Sequence, residues 1–91
     1  MAGEVRDNPA RNRFELELGG GVAFLTYSVA AGVRTLLHAE VPPELEGRGH
    51  GSALVKGTLD LIRASGEKVI PRCPFVDAYM RRHPAYEDLR A

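Results

Sequence analysis

The chain has 91 residues, 44% of them hydrophobic and 26% charged, which suits one ordinary globular domain around one modest core. Twelve Lys and Arg balance twelve Asp and Glu, so no net charge draws it to a phosphate backbone or an anionic membrane, and partnership with nucleic acid or membrane is not expected. Its apolar runs fall far short of the roughly 20 residues of a membrane span and its polar start lacks a secretory core, so a cytoplasmic location is expected. One cysteine and three histidines give neither an internal disulfide nor a zinc-ligand spacing, and no metal is expected.

Residues 1–12 are polar, contain Pro9 and show no periodicity, which predicts a flexible N-terminal segment ahead of a single domain over 13–91. Strict alternation over 13–18 predicts a strand with Phe14, Leu16 and Leu18 on its buried face. The glycines at 19–21 permit a tight reversal into a second strand over 22–30. After a turn at Ala31 and Gly32, a third strand runs over 33–41 and completes an antiparallel three-stranded meander. Alternation in that strand sets Leu37, Ala39 and Val41 opposite Leu36, His38 and Glu40. Pro42 and Pro43 have no N–H to donate and end it, leaving a loop over 44–51.

Val55, Leu59 and Ile62, flanked by Leu54, Thr58 and Leu61, predict the main helix over 52–64, with Ser65 and Gly66 as its stop. A short strand follows over 68–73, and Pro71 disfavours a central place for it. Pro74 suits the first position of a C-terminal helix in which Phe75, Val76, Tyr79 and Met80 recur at helical spacing. Pro84 breaks that pattern and leaves 85–90 as a turn or short helix. The fold class is mixed α/β (α+β).

This order places Gly47, Arg48, Gly49, His50, Gly51 and Ser52 at a helix N-terminus, where unpaired amides and the positive end of the helix dipole favour an anion. The simpler reading is a glycine turn leading into a helix. No lysine follows Gly51 as a nucleotide-triphosphate loop requires, and Ser52 stands where a dinucleotide fingerprint needs its third glycine.

The stretch from Val41 to Leu54 resembles the acyl-CoA pyrophosphate loop of the GNAT superfamily, the Gcn5-related N-acetyltransferases. Arg48, Gly49, His50 and Gly51 match the last four positions of the Gln/Arg-x-x-Gly-x-Gly/Ala pattern, and Glu46 stands where Gln or Arg is usual. Residues 78–84 are similar to the later helix of that superfamily, with Tyr79 at its tyrosine and His83 and Pro84 in place of Gly-Phe. Residues 38–42 and 72–76 together resemble its small single-domain, YjdJ-type members. The resemblance spans about residues 14 to 90. It implies a reduced GNAT-like fold in which acetyl-CoA or another acyl-CoA enters between splayed strands, with coenzyme A held by residues 47–52 and the thioester near Cys73 and Tyr79. The implied activity is acyl-CoA-dependent N-acyltransfer to a primary amine of a small molecule or protein. The triple glycine stands where ordinary members insert helices, so either the acceptor is small or a protein partner completes its site. The alternative is a non-catalytic acyl-CoA-binding or protein-interaction module.

Transfer needs a base for the amine and an acid for the departing thiolate. The resemblance points to Tyr79 as the acid; its other reading is an amphipathic core residue. His38 and Glu40 share a strand face and are candidates for the base if an apolar cleft surrounds them; otherwise they are a solvated pair. Cys73, ahead of a helix start, is a candidate nucleophile for an acyl-enzyme, a lining of the acyl pocket, or a small buried hydrophobe. Arg81 and Arg82 read as a solvated helix face.

Overall fold

The computed structural model describes residues 4–91. Five strands form one sheet in the order β1-β2-β3-β4-β5: β1 Val5–Asn8, β2 Arg13–Glu17, β3 Val22–Ala30, β4 Val33–Glu40 and β5 Lys68–Pro71. The first four are antiparallel, and β5 returns parallel to β4 after a crossover through helix α1, His50–Ser65. Helix α2, Pro74–Arg82, and a 3-10 segment, Pro84–Leu89, complete the chain. No helix among the described residues is long and apolar enough to cross a membrane.

Local sequence rules account for most of this. The meander lies where alternation and glycine turns place it, and Phe14, Leu16, Ala23, Leu25 and Tyr27 point to one face. That face packs against Leu54, Val55, Leu59 and Ile62 of α1 and Val76, Tyr79 and Met80 of α2 in a single core. Gly66 adopts a left-handed conformation and its amide closes on the Arg63 carbonyl, the helix stop its sequence predicts. Pro71 lies in the edge strand, consistent with its missing N–H. The C-terminus partly covers that edge, since the Ala91 amide donates to the Val69 carbonyl at 2.8 Å.

Four expectations need correction. The segment expected to be loose supplies β1 and a 3-10 turn at Pro9–Arg11; Met1, Ala2 and Gly3 lie outside the described residues. Its anchors are remote in sequence: the Tyr27 hydroxyl donates to Asp7 at 2.6 Å and Arg34 pairs with the same carboxylate at 3.2 Å. Val5 also packs on α1 so closely that a Cβ at Gly57 would overlap its Cγ2 and lie 2.7 Å from its Cβ.

Alternation in β4 is interrupted by a bulge. Tyr27 pairs with Leu36 and Thr26 with His38, so Leu37 is an extra residue on the β4 side. Leu36 therefore shares the packed side with Ala39 and Val41 rather than with His38 and Glu40. On α1, Leu61 is 39% exposed because it lies at the margin of the stripe, bordering the groove beside Val5 of β1, and not within the core. On α2, Phe75 is 41% exposed although its spacing resembles that of core residues, because it sits in the first helical turn, beyond the edge of the core.

Candidate active site

The parallel pairing of β4 and β5 ends at Leu36 and Pro71. One further link follows, from the Cys73 amide to the Leu36 carbonyl at 2.9 Å. Beyond it the chain turns into α2 while β4 continues to Glu40, so the β5-facing edge of residues 37–40 has no strand partner among the described residues. A fork opens there, with Cys73 at its apex.

The N-terminus of α1 closes the mouth of the fork. Gly47 and Gly49 have φ of +78° and +80°, a left-handed backbone that side chains other than glycine adopt at a cost. This path turns the chain from the 3-10 turn at Pro43–Leu45 into α1 within four residues. The first backbone bond of the helix is donated by Ala53, to the Gly49 carbonyl at 3.1 Å. The amides from Gly47 to Ser52 consequently have no acceptor among the described residues, and no side chain caps the helix. They border a cleft of about 450 Å³.

Ala39 and Val41 of β4, Leu45 and Phe75 give this cleft apolar walls, while Gly47, Gly49, His50, Gly51 and Ser52 give it a polar end. Glu46 also lines it, placing one carboxylate at the rim. A run of unpartnered amides at a helix start binds an anion through partial charges alone, and the apolar walls suit an uncharged chain leading away from it. Those residues fit a diphosphate joined to an extended organic arm.

The predicted site residues divide into three groups. Five of the six loop residues line the cleft; Arg48 lies in the same loop with its side chain exposed and outside the lining. Cys73 and Tyr79, each 4% exposed, belong to the core behind the cleft and are not part of its lining. The Tyr79 ring stacks on His83 with centroids 3.9 Å apart, and the His83 Nδ1 lies 2.8 Å from the Tyr79 carbonyl oxygen. The side-chain hydrogen bonds among the described residues include none from the Tyr79 hydroxyl. His38 and Glu40 point away from Ala39 and Val41, with side chains 63% and 57% exposed and Nε2 and Oε1 3.9 Å apart. The apolar surroundings expected for that pair are not present there.

Sequence reasoning missed Phe75, Ala39, Val41 and Leu45. Alternation in β4 carries a signal for Ala39 and Val41, which share one side, but Phe75 reaches the loop only through a tertiary contact with Gly51. No group of three or more His, Cys, Asp or Glu side chains capable of holding a metal occurs among the described residues.

Residues 13–89 match the family model described as GCN5-related N-acetyl-transferase. The solution NMR structure of a GCN5-like candidate N-acetyltransferase from Staphylococcus aureus superposes with a TM-score of 0.71 at 25% identity, covering 97% of this chain and 87% of that one. The search of curated proteins gives no significant match. With 77 consecutive residues of the 91 inside the family match, the chain belongs to the GCN5-related N-acetyltransferase family and has the mixed α/β fold and acyltransferase class that go with it.

Proposed function

We propose that the protein transfers an acyl group, most simply acetyl, from acyl-CoA to a primary amine of a small molecule or protein. The observation that carries this reading is the run of unpartnered amides from Gly47 to Ser52 beside the free edge of β4. The amides receive the diphosphate. The arm runs between Phe75 and the Ala39–Val41 wall, where its amide groups add to the open edge of β4 as a strand would. The thioester then comes toward the apex at Cys73, with α2 and Tyr79 alongside.

The amine nitrogen attacks the thioester carbonyl, forming the C–N bond, and the C–S bond breaks as the tetrahedral intermediate collapses. The amine proton leaves through water to His38 or Glu40, whose exposure lets both exchange with solvent. Tyr79 supplies a proton to the departing thiolate, and a hydroxyl without an internal partner is free to do so. Cys73 sits at the apex behind the lining in this scheme. An acyl-Cys73 intermediate is the ping-pong variant, and mass spectrometry after incubation with acetyl-CoA distinguishes the two: an acetyl adduct that an amine discharges supports the intermediate.

The placement of Cys73 and Tyr79 behind the lining favours a second reading, an acyl-CoA-binding module without turnover. Calorimetric titration with acetyl-CoA and CoA tests what the two share. Saturable binding is expected, and Gly49→Glu should weaken it at least tenfold by adding charge and left-handed strain to the cradle. Absence of binding by the unaltered chain overturns both readings. Free-thiol release with a panel of amines then separates enzyme from module.

A further inference from the structure

Gly51 is the glycine of this loop most tightly covered by another part of the chain. A Cβ built there would lie 3.0 Å from Cζ and 3.2 Å from Cε2 of Phe75, closer than ordinary van der Waals contact. Its φ is not in the left-handed region, unlike those of Gly47 and Gly49, so backbone conformation does not demand glycine at this position. Gly51 also lies inside α1, where alanine is the better helix former. The feature that does demand glycine is the Phe75 ring.

That ring is 41% exposed and lines the same cleft as Ala39 and Val41. Pro74 restricts the backbone just before it, at the first position of α2. A large aromatic ring held this way, half in solvent and against a glycine, has one open face turned to the space between loop and strand.

We infer that Gly51 and Phe75 act as a matched pair that sets the width of the acyl-donor cleft, with Phe75 a positioning residue that packs on the first apolar part of the donor's arm, next to the diphosphate. The inference rests on the proposed acyl-CoA reading and adds to it a residue and a steric rule. In coenzyme A the group joined directly to the diphosphate carries a gem-dimethyl carbon. A donor whose diphosphate sits on the Gly47–Ser52 amides brings that carbon to the level of Gly51, within reach of the ring.

Three consequences follow, and the last distinguishes a width-setting pair from two independent residues. Phe75→Ala should weaken CoA and acetyl-CoA by about tenfold, the scale of one lost aromatic contact, and leave ADP unchanged, because ADP carries the diphosphate without the arm. Gly51→Ala should displace the ring and weaken CoA by a similar factor while leaving thermal stability equal or higher, since the substitution favours the helix. In the double variant Gly51→Ala/Phe75→Leu the smaller side chain leaves room for the new methyl. The penalty of Gly51→Ala should then fall to less than twofold relative to Phe75→Leu alone.

The experiment is calorimetric titration of the full chain and these variants with CoA, acetyl-CoA and ADP, with thermal unfolding of each as the check on folding. If the Gly51→Ala penalty is the same with Phe75 or Leu at position 75, the pair is not coupled and the inference fails. It also fails if Phe75→Ala weakens ADP as much as CoA. Failure of the unaltered chain to bind CoA is a separate result, which overturns the acyl-CoA reading itself.

Discussion

The hydroxyl of Tyr79 offers a clean separation of chemistry from packing. The ring is buried and held by His83 at 3.9 Å, but the hydroxyl oxygen has no hydrogen-bond partner among the described residues. Removing it by Tyr79→Phe keeps the stacked ring, so the unfolding free energy should change by less than about 0.5 kcal/mol, below the value of a typical internal hydrogen bond. If Tyr79 protonates the thiolate, the same change should lower kcat on the order of 10²-fold, with little change in CoA binding. Parallel thermal unfolding, titration and thiol-release measurements check this. An unchanged kcat removes Tyr79 from the acid role, whereas a large stability loss would reveal a structural partner for its hydroxyl.

Among the elements, β1 shows most clearly where sequence reasoning reached its limit. Val5–Asn8 has no apolar alternation, and its place in the sheet depends on Asp7 meeting Tyr27 and Arg34 and on Val5 meeting α1 at Gly57, contacts between segments 20 or more residues apart. By contrast, β2, β3, the stop of α1 and the edge position of β5 follow from alternation, glycine turns, a C-cap and a proline, each a local rule, and all were legible. The β4 bulge was not, because its extra residue is defined by register with β3 rather than by composition. Gly57→Ala tests the close contact between α1 and β1. Helix propensity alone predicts stabilisation by about 1 kcal/mol, but a Cβ overlapping the stiff Val5 side chain should reverse the sign. The expected outcome is a net loss of about 1–3 kcal/mol, with faster amide exchange in β1. A rise in stability would mean that β1 yields without loss.

For the molecule as a whole, the site was legible in part for the same physical reason. The glycine-rich turn into α1 is local and announced itself, whereas the wall facing it comes from β4 and α2 and required the fold. The charged surface shows the same dependence on tertiary contacts, and it ties the last segment to α1. Burial alone would raise the Asp60 carboxyl, but the Tyr86 hydroxyl at 2.7 Å and the Lys56 ammonium at 3.0 Å outweigh it and hold Asp60 below its ordinary value. The hydrogen bond from Arg63 at 2.8 Å lowers Asp88, and the one from Arg13 at 2.6 Å lowers Glu15. Burial, then the neighbouring Asp60, raises the Tyr86 phenol. A carboxyl lowered in the folded state contributes stability that is present above its unfolded pKa, near 4, and is lost as pH falls through the folded value; the raised phenol contributes stability below about 10 that is lost as pH rises through its folded value. Thermal stability should therefore be broadly level from about pH 5 to 9 and decline on both sides. Tyr86→Phe should cost about 1 kcal/mol at pH 7 by removing the hydrogen bond to Asp60, and less at pH 3, where that carboxylate is increasingly protonated. Unfolding curves of both proteins at the two pH values decide it: a penalty that is equal at pH 3 and pH 7 would show that the loss of the hydroxyl does not act through the charge of the Asp60 carboxylate.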